Sequence, residues 1–206
     1  MTKIEDRDIA IKMAREALTK HYFVFDTETT GINANDEIVQ FSILERNAGK
    51  EIRRFTTLVK PSIPVKEDAF AIHHISNKLL ENAPSMRDVY TEIPTLLHLV
   101  GYNIAFDSQM LVNSLRAARA PVFYIDDTRI QPYDVMLICA QYRGRWDDTH
   151  HGYKWPKLCI ACETFGITID DDLELHDSMT DVIMTERLLN YVAEQKLSTE
   201  PFLERI

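Results

Sequence analysis

Cysteine is scarce in this chain. Three thiols among 206 residues are an odd number and offer no disulfide framework, so a reducing cytoplasm is the expected compartment. No apolar run approaches the roughly 18 residues needed to span a bilayer, and no membrane partner is expected. The first residues (MTKIEDRDIAIKMAREALTKH) are mixed in charge and amphipathic, unlike a signal peptide. No linker rich in glycine or serine, internal repeat or low-complexity segment interrupts the chain. Positive charge is also short. With 23 Lys and Arg against 32 Asp and Glu, the net charge of −9 has the wrong sign for holding nucleic acid by bulk electrostatics.

What is present is enough apolar side chain, 45% of residues, to bury one good core. Strand and helix patterns intermix. Residues 4–19 have helical spacing and precede a strand at 22–27. Residues 37–46 and 51–60, rich in Ile, Val, Phe and Thr, flank Asn47-Ala48-Gly49-Lys50, which reads as a hairpin turn. The segment 61–83, with Pro61 and Pro64, reads as irregular, ending in a short helix near 76–81. A helix from about Ser85 is interrupted near Pro94, and LLHLVGYN follows as a fourth strand. Next come a helix (AFDSQMLVNSLRAA), a strand around 122–125, helices near 134–142 and 155–165, and a last helix over about 178–195. A meander that passes into βα alternation predicts an α/β fold, one mixed central sheet flanked by helices. The expected division is a helix over 1–20, a single domain over 21–196 and a short tail over 197–206.

Chemistry concentrates where the first strand ends. In YFVFDTETTG, four apolar residues run into Asp26 and Glu28, which alternation puts on one face. Two carboxylates a few ångströms apart repel, and desolvation worsens this. A hard cation with oxygen ligands relieves the conflict, which points to Mg²⁺ or Mn²⁺. Taken alone, D-x-E is common, and a solvated strand end with two surface acids is then the better description. Further on, Asn103-Ile104-Ala105-Phe106-Asp107 places Asp107 in the first turn of a helix, where the helix dipole favours an acid. His176 and Asp181 open the final helix. Their offset of five residues is about 140° of rotation, so they converge only if His176 lies on the preceding loop with Asp177 or Ser178 as N-cap.

FDTETTG, then NIAFD, then H-x-x-x-x-D at a C-terminal helix, in that order, resembles the DEDDh family of 3′→5′ exonucleases, which includes exonuclease X, RNase T and the proofreading subunit of bacterial DNA polymerase III. The likeness runs over about 22–193. It takes in PSIPVKEDAFAIHHIS, near the family's I-x-P-x-A-x-x-I-H-G-I-T, Tyr133-Asp134-Val135, and KWPKLCIACETFGI. It implies an RNase H-like exonuclease fold and two Mg²⁺ or Mn²⁺ ions per site. Asp26, Glu28 and Asp181 would hold one ion, Asp26 with Asp107 the second, and His176 would act as general base. Backbone around Thr29-Thr30-Gly31 would approach the terminal nucleotide, with Ile72, His73 and Phe106 against its base and sugar and Asn103 beside them. Core packing describes Ile72 and Phe106 nearly as well. The implied partner is the 3′ end of single-stranded nucleic acid, DNA favoured over RNA, and the product 5′-mononucleotides.

Two departures stand out: Tyr102-Asn103 where the family has His-Asn, and His74 where it has glycine. Neither replaces a proposed ligand. An RNA-trimming exonuclease, a catalytically silent binding module and a polymerase proofreading subunit are the alternatives. The intact set of acids argues against the silent module, and about eleven residues after the last helix leave little tail for a polymerase. Two Mg²⁺ would leave a charge of −5. Arg143, Arg145, Lys154 and Lys157, interleaved with Trp146, Tyr153 and Trp155, suit single-strand binding, although a solvated loop with its tryptophans packed on the domain takes precedence. Cys159-x-x-Cys162 reads as buried helix thiols rather than a zinc site completed by His150-His151. Asp134 reads as a structural acid.

Overall fold

The computed structural model describes residues 3–93, 98–122, 131–168 and 177–199. Helix α1 (Lys3–Leu18) leads into strand β1 (Tyr22–Thr29), which is followed by β2 (Ile38–Asn47) and β3 (Lys50–Leu58). Ala48 and Gly49 both have positive φ, 50° and 77°, the type I′ geometry whose twist matches a two-residue hairpin. Helix α2 (Glu67–His73) and α3 (Met86–Val89, continued by a 3₁₀ turn, Tyr90–Glu92) precede β4 (His98–Gly101) and α4 (Ile104–Ala117). Ser85 and Asp88 close a capping box at the start of α3. The chain then gives β5 (Gln131–Asp134), α5 (Val135–Arg143), a small hairpin of β6 (Trp146–Asp147) and β7 (Gly152–Tyr153), α6 (Leu158–Phe165) and α7 (Ser178–Ala193).

The sheet order is β3-β2-β1-β4-β5, antiparallel across the first three strands and parallel across the last three. This is the expected mixed sheet, and β1 lies at its centre. Alternation along β1 feeds two core layers. Tyr22 and Val24 pack with α1, α5, α6 and α7. Phe23 and Phe25 pack with β2 and α4. In α1, Ala10, Ile11, Ala14 and Ala17 are fully buried at helical spacing, and the small residues let it lie close against α5 and α7.

Three expected elements are displaced. The short helix lies at Glu67–His73 rather than 76–81, where the chain only turns. The fifth strand is Gln131–Asp134; at 122 there is no strand, and 123–125 lie outside the described residues. The strand holds Pro132, which cannot donate to a ladder, and a parallel edge tolerates that. Residues 155–157 form no helix, Lys157 is extended, and α6 starts at Leu158. Among the described residues, no helix is long and apolar enough to cross a membrane.

Candidate active site

The two faces of β1 part company at its C-terminal end. Asp26 and Glu28 follow Tyr22 and Val24 onto the α7 side, whereas Thr27 follows Phe23 and Phe25 onto the α4 side. The register shift between Glu28 and Thr29 is a bulge that turns the strand end. Opposite Asp26 and Glu28 on β2 stand Ser42 and Gln40. These two polar residues dock the start of α7. The Gln40 side-chain amide donates to Asp177 Oδ2 (2.7 Å) and accepts from the Ser178 backbone N–H (3.1 Å), and Ser42 Oγ lies 2.7 Å from Ser178 Oγ. Asp177 caps the helix, accepting from the N–H groups of Met179 (3.0 Å) and Thr180 (3.3 Å). One turn in, Asp181 is delivered to the carboxylates of β1. Asp26, Glu28 and Asp181 each present an oxygen within 4.8 Å of the others, the one such group among the described residues.

Asp107 arrives from the opposite layer. Its Oδ1 accepts from Thr27 Oγ1 (2.7 Å) and from the Thr27 backbone N–H (3.0 Å). Asp107 is therefore tied to the residue between the two strand acids and lies close enough to Asp26 to be the strongest charge acting on it, although it is outside the triad. Asn103 precedes its helix at φ 60°, a left-handed conformation that asparagine tolerates, and its backbone N–H donates to Asp134 Oδ1 (3.1 Å). Asp134 also accepts from Met136 N–H and caps α5, so it is the structural acid expected.

The electrostatics follow from that crowding. Burial, followed by the charges of Asp107, Asp181 and Glu28, holds Asp26 well above the usual carboxylate range. Burial and the charges of Asp181 and Asp107 push Glu28 to about 8. Burial raises Asp107 to about 7 against the Thr27 hydrogen bonds, and burial with the charge of Asp177 raises Asp181 to about 6. Such a cluster fits a divalent cation, which removes the repulsion and takes carboxylate oxygens as ligands. His176 lies outside the described residues.

A cleft of about 250 Å³ adjoins Glu28, and Thr27, Thr29, Ile72, His73 and Phe106 help to line it. Ile72 is 52% exposed, so it is a cleft-edge side chain and not a core one. His73 is buried: its Nδ1 accepts from Ile75 N–H (3.0 Å), so Nε2 carries the proton donated to Thr29 C=O (3.1 Å). It braces α2 against the end of β1. Thr30 is wholly buried, with its hydroxyl donating to Asp36 Oδ1 (2.8 Å) and accepting from Glu37 N–H (3.0 Å), so it holds the turn and does not line the cleft. Gly31 is needed for space and not for a left-handed turn. A Cβ there would meet Asp36 Oδ2 and Lys66 Cδ, each at 2.8 Å. Conversely, His74 sits at φ 58°, the conformation glycine adopts without strain, which accounts for the family's glycine at that place.

Sequence reasoning did not find Thr27, Gln40 or Ser42. The signal for the last two was polar residues at alternate positions within an apolar strand, opposite the two acids. Of the helix thiols, Cys162 is buried but Cys159 is exposed.

A family model described as exonuclease, of the RNase T group, matches residues 23–189. The uncharacterized exonuclease CP81 of Escherichia phage 186 is 27% identical over 88% of this chain and 92% of its own length. DNA polymerase III subunit epsilon of Treponema pallidum is 31% identical over 72% of this chain and 66% of its own length. PolC-type DNA polymerase III relatives are far longer, and the chain spans 7% of the one from Lacticaseibacillus paracasei. Among solved structures, exonuclease X in complex with 5′ overhanging duplex DNA is similar in fold, with a TM-score of 0.59 at 19% identity over 85% of this chain and 95% of that one. With the family's match spanning both strand acids, Asp107 and Asp181, the chain belongs to the RNase T-type, DnaQ-like exonucleases and is a nuclease hydrolase by that membership.

Proposed function

We propose that the protein is a metal-dependent 3′→5′ exonuclease that releases 5′-mononucleotides from single-stranded nucleic acid, DNA favoured over RNA. The observation that carries this reading is the convergence of Asp26, Glu28 and Asp181 within 4.8 Å beside a cleft sized for a terminal nucleotide. Asp26, Glu28 and Asp181 would hold one divalent ion, and Asp26 with Asp107 a second. When bound, the pair would stabilise the charge that builds on the attacking and leaving oxygens. His176 would take the proton from the attacking water, a task suited to imidazole near neutrality. Phe106 and Ile72 would pack on the terminal base and sugar. Thr29 and Asn103 would flank them, and His73 and Thr30 would hold the turn in place. The preference for DNA rests on the DTETTG form of the first motif and on the relatives named as DNA polymerase III.

End-blocked substrates test this. Single-stranded DNA and RNA of one sequence, each blocked at either end, are incubated with Mg²⁺ or Mn²⁺, and mononucleotide release is measured. DNA with a free 3′ hydroxyl should be consumed, and the 3′-blocked strand should resist. Faster consumption of RNA would reverse the substrate assignment. Efficient cutting of a circular single strand would show an endonuclease.

A further inference from the structure

Residues 143–157, RGRWDDTHHGYKWPK, are basic in an acidic protein, and they expose the chain's only two tryptophans, Trp146 (50%) and Trp155 (64%). The loop expected to pack its tryptophans on the domain does the reverse. The β6–β7 hairpin is anchored from below. Tyr153 O–H donates to Asp6 on α1 (2.6 Å), and Trp146 stands edge-on to the Tyr153 ring at 5.4 Å. Across the hairpin base, Lys154 N–H donates to Arg145 C=O (2.8 Å). Arg145, Lys154 and Lys157 are exposed and have no carboxylate partner among the described residues, whereas Asp147 engages His150 at 3.0 Å. Large aromatic surface held in water beside unpaired cations marks a binding face.

Its position ties it to the acids. Tyr102 O–H donates to Pro156 C=O (2.7 Å), and Tyr102 directly precedes Asn103 and the helix whose first turn carries Asp107. On the other side, Lys157 is the residue before α6, and Cys162 on that helix is buried in one cluster with Met179 and Val182 of α7, the helix that carries Asp181. The Trp155–Lys157 segment is thus a rim that joins Tyr102, just before the Asp107 helix, to α6, which packs on the Asp181 helix.

We propose that this rim guides the single strand on the 5′ side of the scissile nucleotide, with Trp155 and Trp146 stacking bases and Arg145, Lys154 and Lys157 meeting phosphates. The inference rests on the exonuclease reading. Each nucleotide presents a base π-face and a backbone phosphate to such a track, which matches indoles interleaved with cations. The arrangement also supplies local positive charge where the net charge of −9 would repel a polyanion.

The test uses the full chain and two oligodeoxythymidylates, a 3-mer and a 15-mer. In chelator at low salt, the 15-mer should quench tryptophan emission saturably, and the 3-mer much less. Trp155→Ala should weaken 15-mer binding by about tenfold or more, the scale of one lost stack, and Trp155→Phe should recover most of it. Lys154→Gln with Lys157→Gln should reduce the salt slope by about 1.4, from roughly 0.7 per phosphate contact on a single strand. With metal, Trp155→Ala should cut the ratio of kcat/KM for the 15-mer over the 3-mer by a similar factor. If the wild type degrades both substrates but these variants leave affinity, slope and ratio unchanged, the rim is not the path. If the wild type degrades neither, the exonuclease reading itself fails.

Discussion

Glu28→Gln is expected to make the metal-free protein more stable near pH 7.5. In the folded chain Glu28 is raised from 4.5 to about 8 by burial and by its acidic neighbours. In the unfolded chain it loses its proton near the ordinary value. Between those values the folded state holds about one proton more than the unfolded state, so stability falls as pH rises, by about 1.4 kcal/mol per pH unit. From pH 5.5 to pH 7.5 this one group costs about 3 kcal/mol, or roughly 6–12 °C in Tm for a chain of this size. Asp107 at about 7 and Asp181 at about 6 act in the same direction over the lower part of that range. Glutamine keeps the shape and removes the charge. In chelator, calorimetry from pH 5.5 to 7.5 should therefore show a steeper fall for the wild type than for Glu28→Gln, with the variant higher at pH 7.5. Mn²⁺ should raise the wild-type Tm more at pH 7.5 than at pH 5.5, because ligands must be deprotonated, and should raise the variant far less. A variant that is less stable than the wild type at pH 7.5 in chelator would refute the claim that the strand acids repel one another.

Three other outcomes are expected. Thr27→Val removes the hydroxyl that donates to Asp107 at 2.7 Å, which should move the acid-side limb of the pH–rate profile to higher pH; an unmoved limb at saturating metal would mean that Asp107 does not govern it. His176→Ala should lower turnover on the order of 10²–10⁴-fold while keeping the metal-induced rise in Tm, whereas near-wild-type turnover would make His176 an ordinary loop residue. Glu186→Ala strips Arg46 of a two-pronged contact (2.6 and 2.8 Å) and Tyr22 of its acceptor, and should cost about 3 kcal/mol in denaturant melts with little change in kcat.

Asp26 and Glu28 were legible in the sequence because period-two alternation alone puts them on one face, and Asp181 because a capped helix start is a local signal. The order of the three motifs then carried the fold. What was not legible depended on partners distant in sequence. Gln40 and Ser42 matter only because the hairpin register sets them opposite Glu28 and Asp26. Thr27 looked like a spacer, yet it holds Asp107 from 80 residues away. The helix Glu67–His73 has no side-chain N-cap and follows two prolines, so nothing local announced it. At β5, Pro132 argued against a strand, and only the parallel pairing with β4 overrides it. The exposure of Trp146 and Trp155 was decided by the anchoring of the hairpin through Tyr153 and Pro156, contacts with α1 and Tyr102 that composition cannot show.

The central claim is that the carboxylates at the end of β1 form a metal-dependent centre that removes nucleotides one at a time from a 3′ end. A 5′-labelled single-stranded DNA followed over time on a sequencing gel tests it directly, with Mn²⁺, with chelator, and with Asp26→Ala in Mn²⁺. The account predicts a ladder shortening from the 3′ end with the wild type in Mn²⁺, its arrest in chelator with recovery when metal is restored, and an intact strand with the variant. An undiminished ladder in chelator, or from Asp26→Ala, would contradict it.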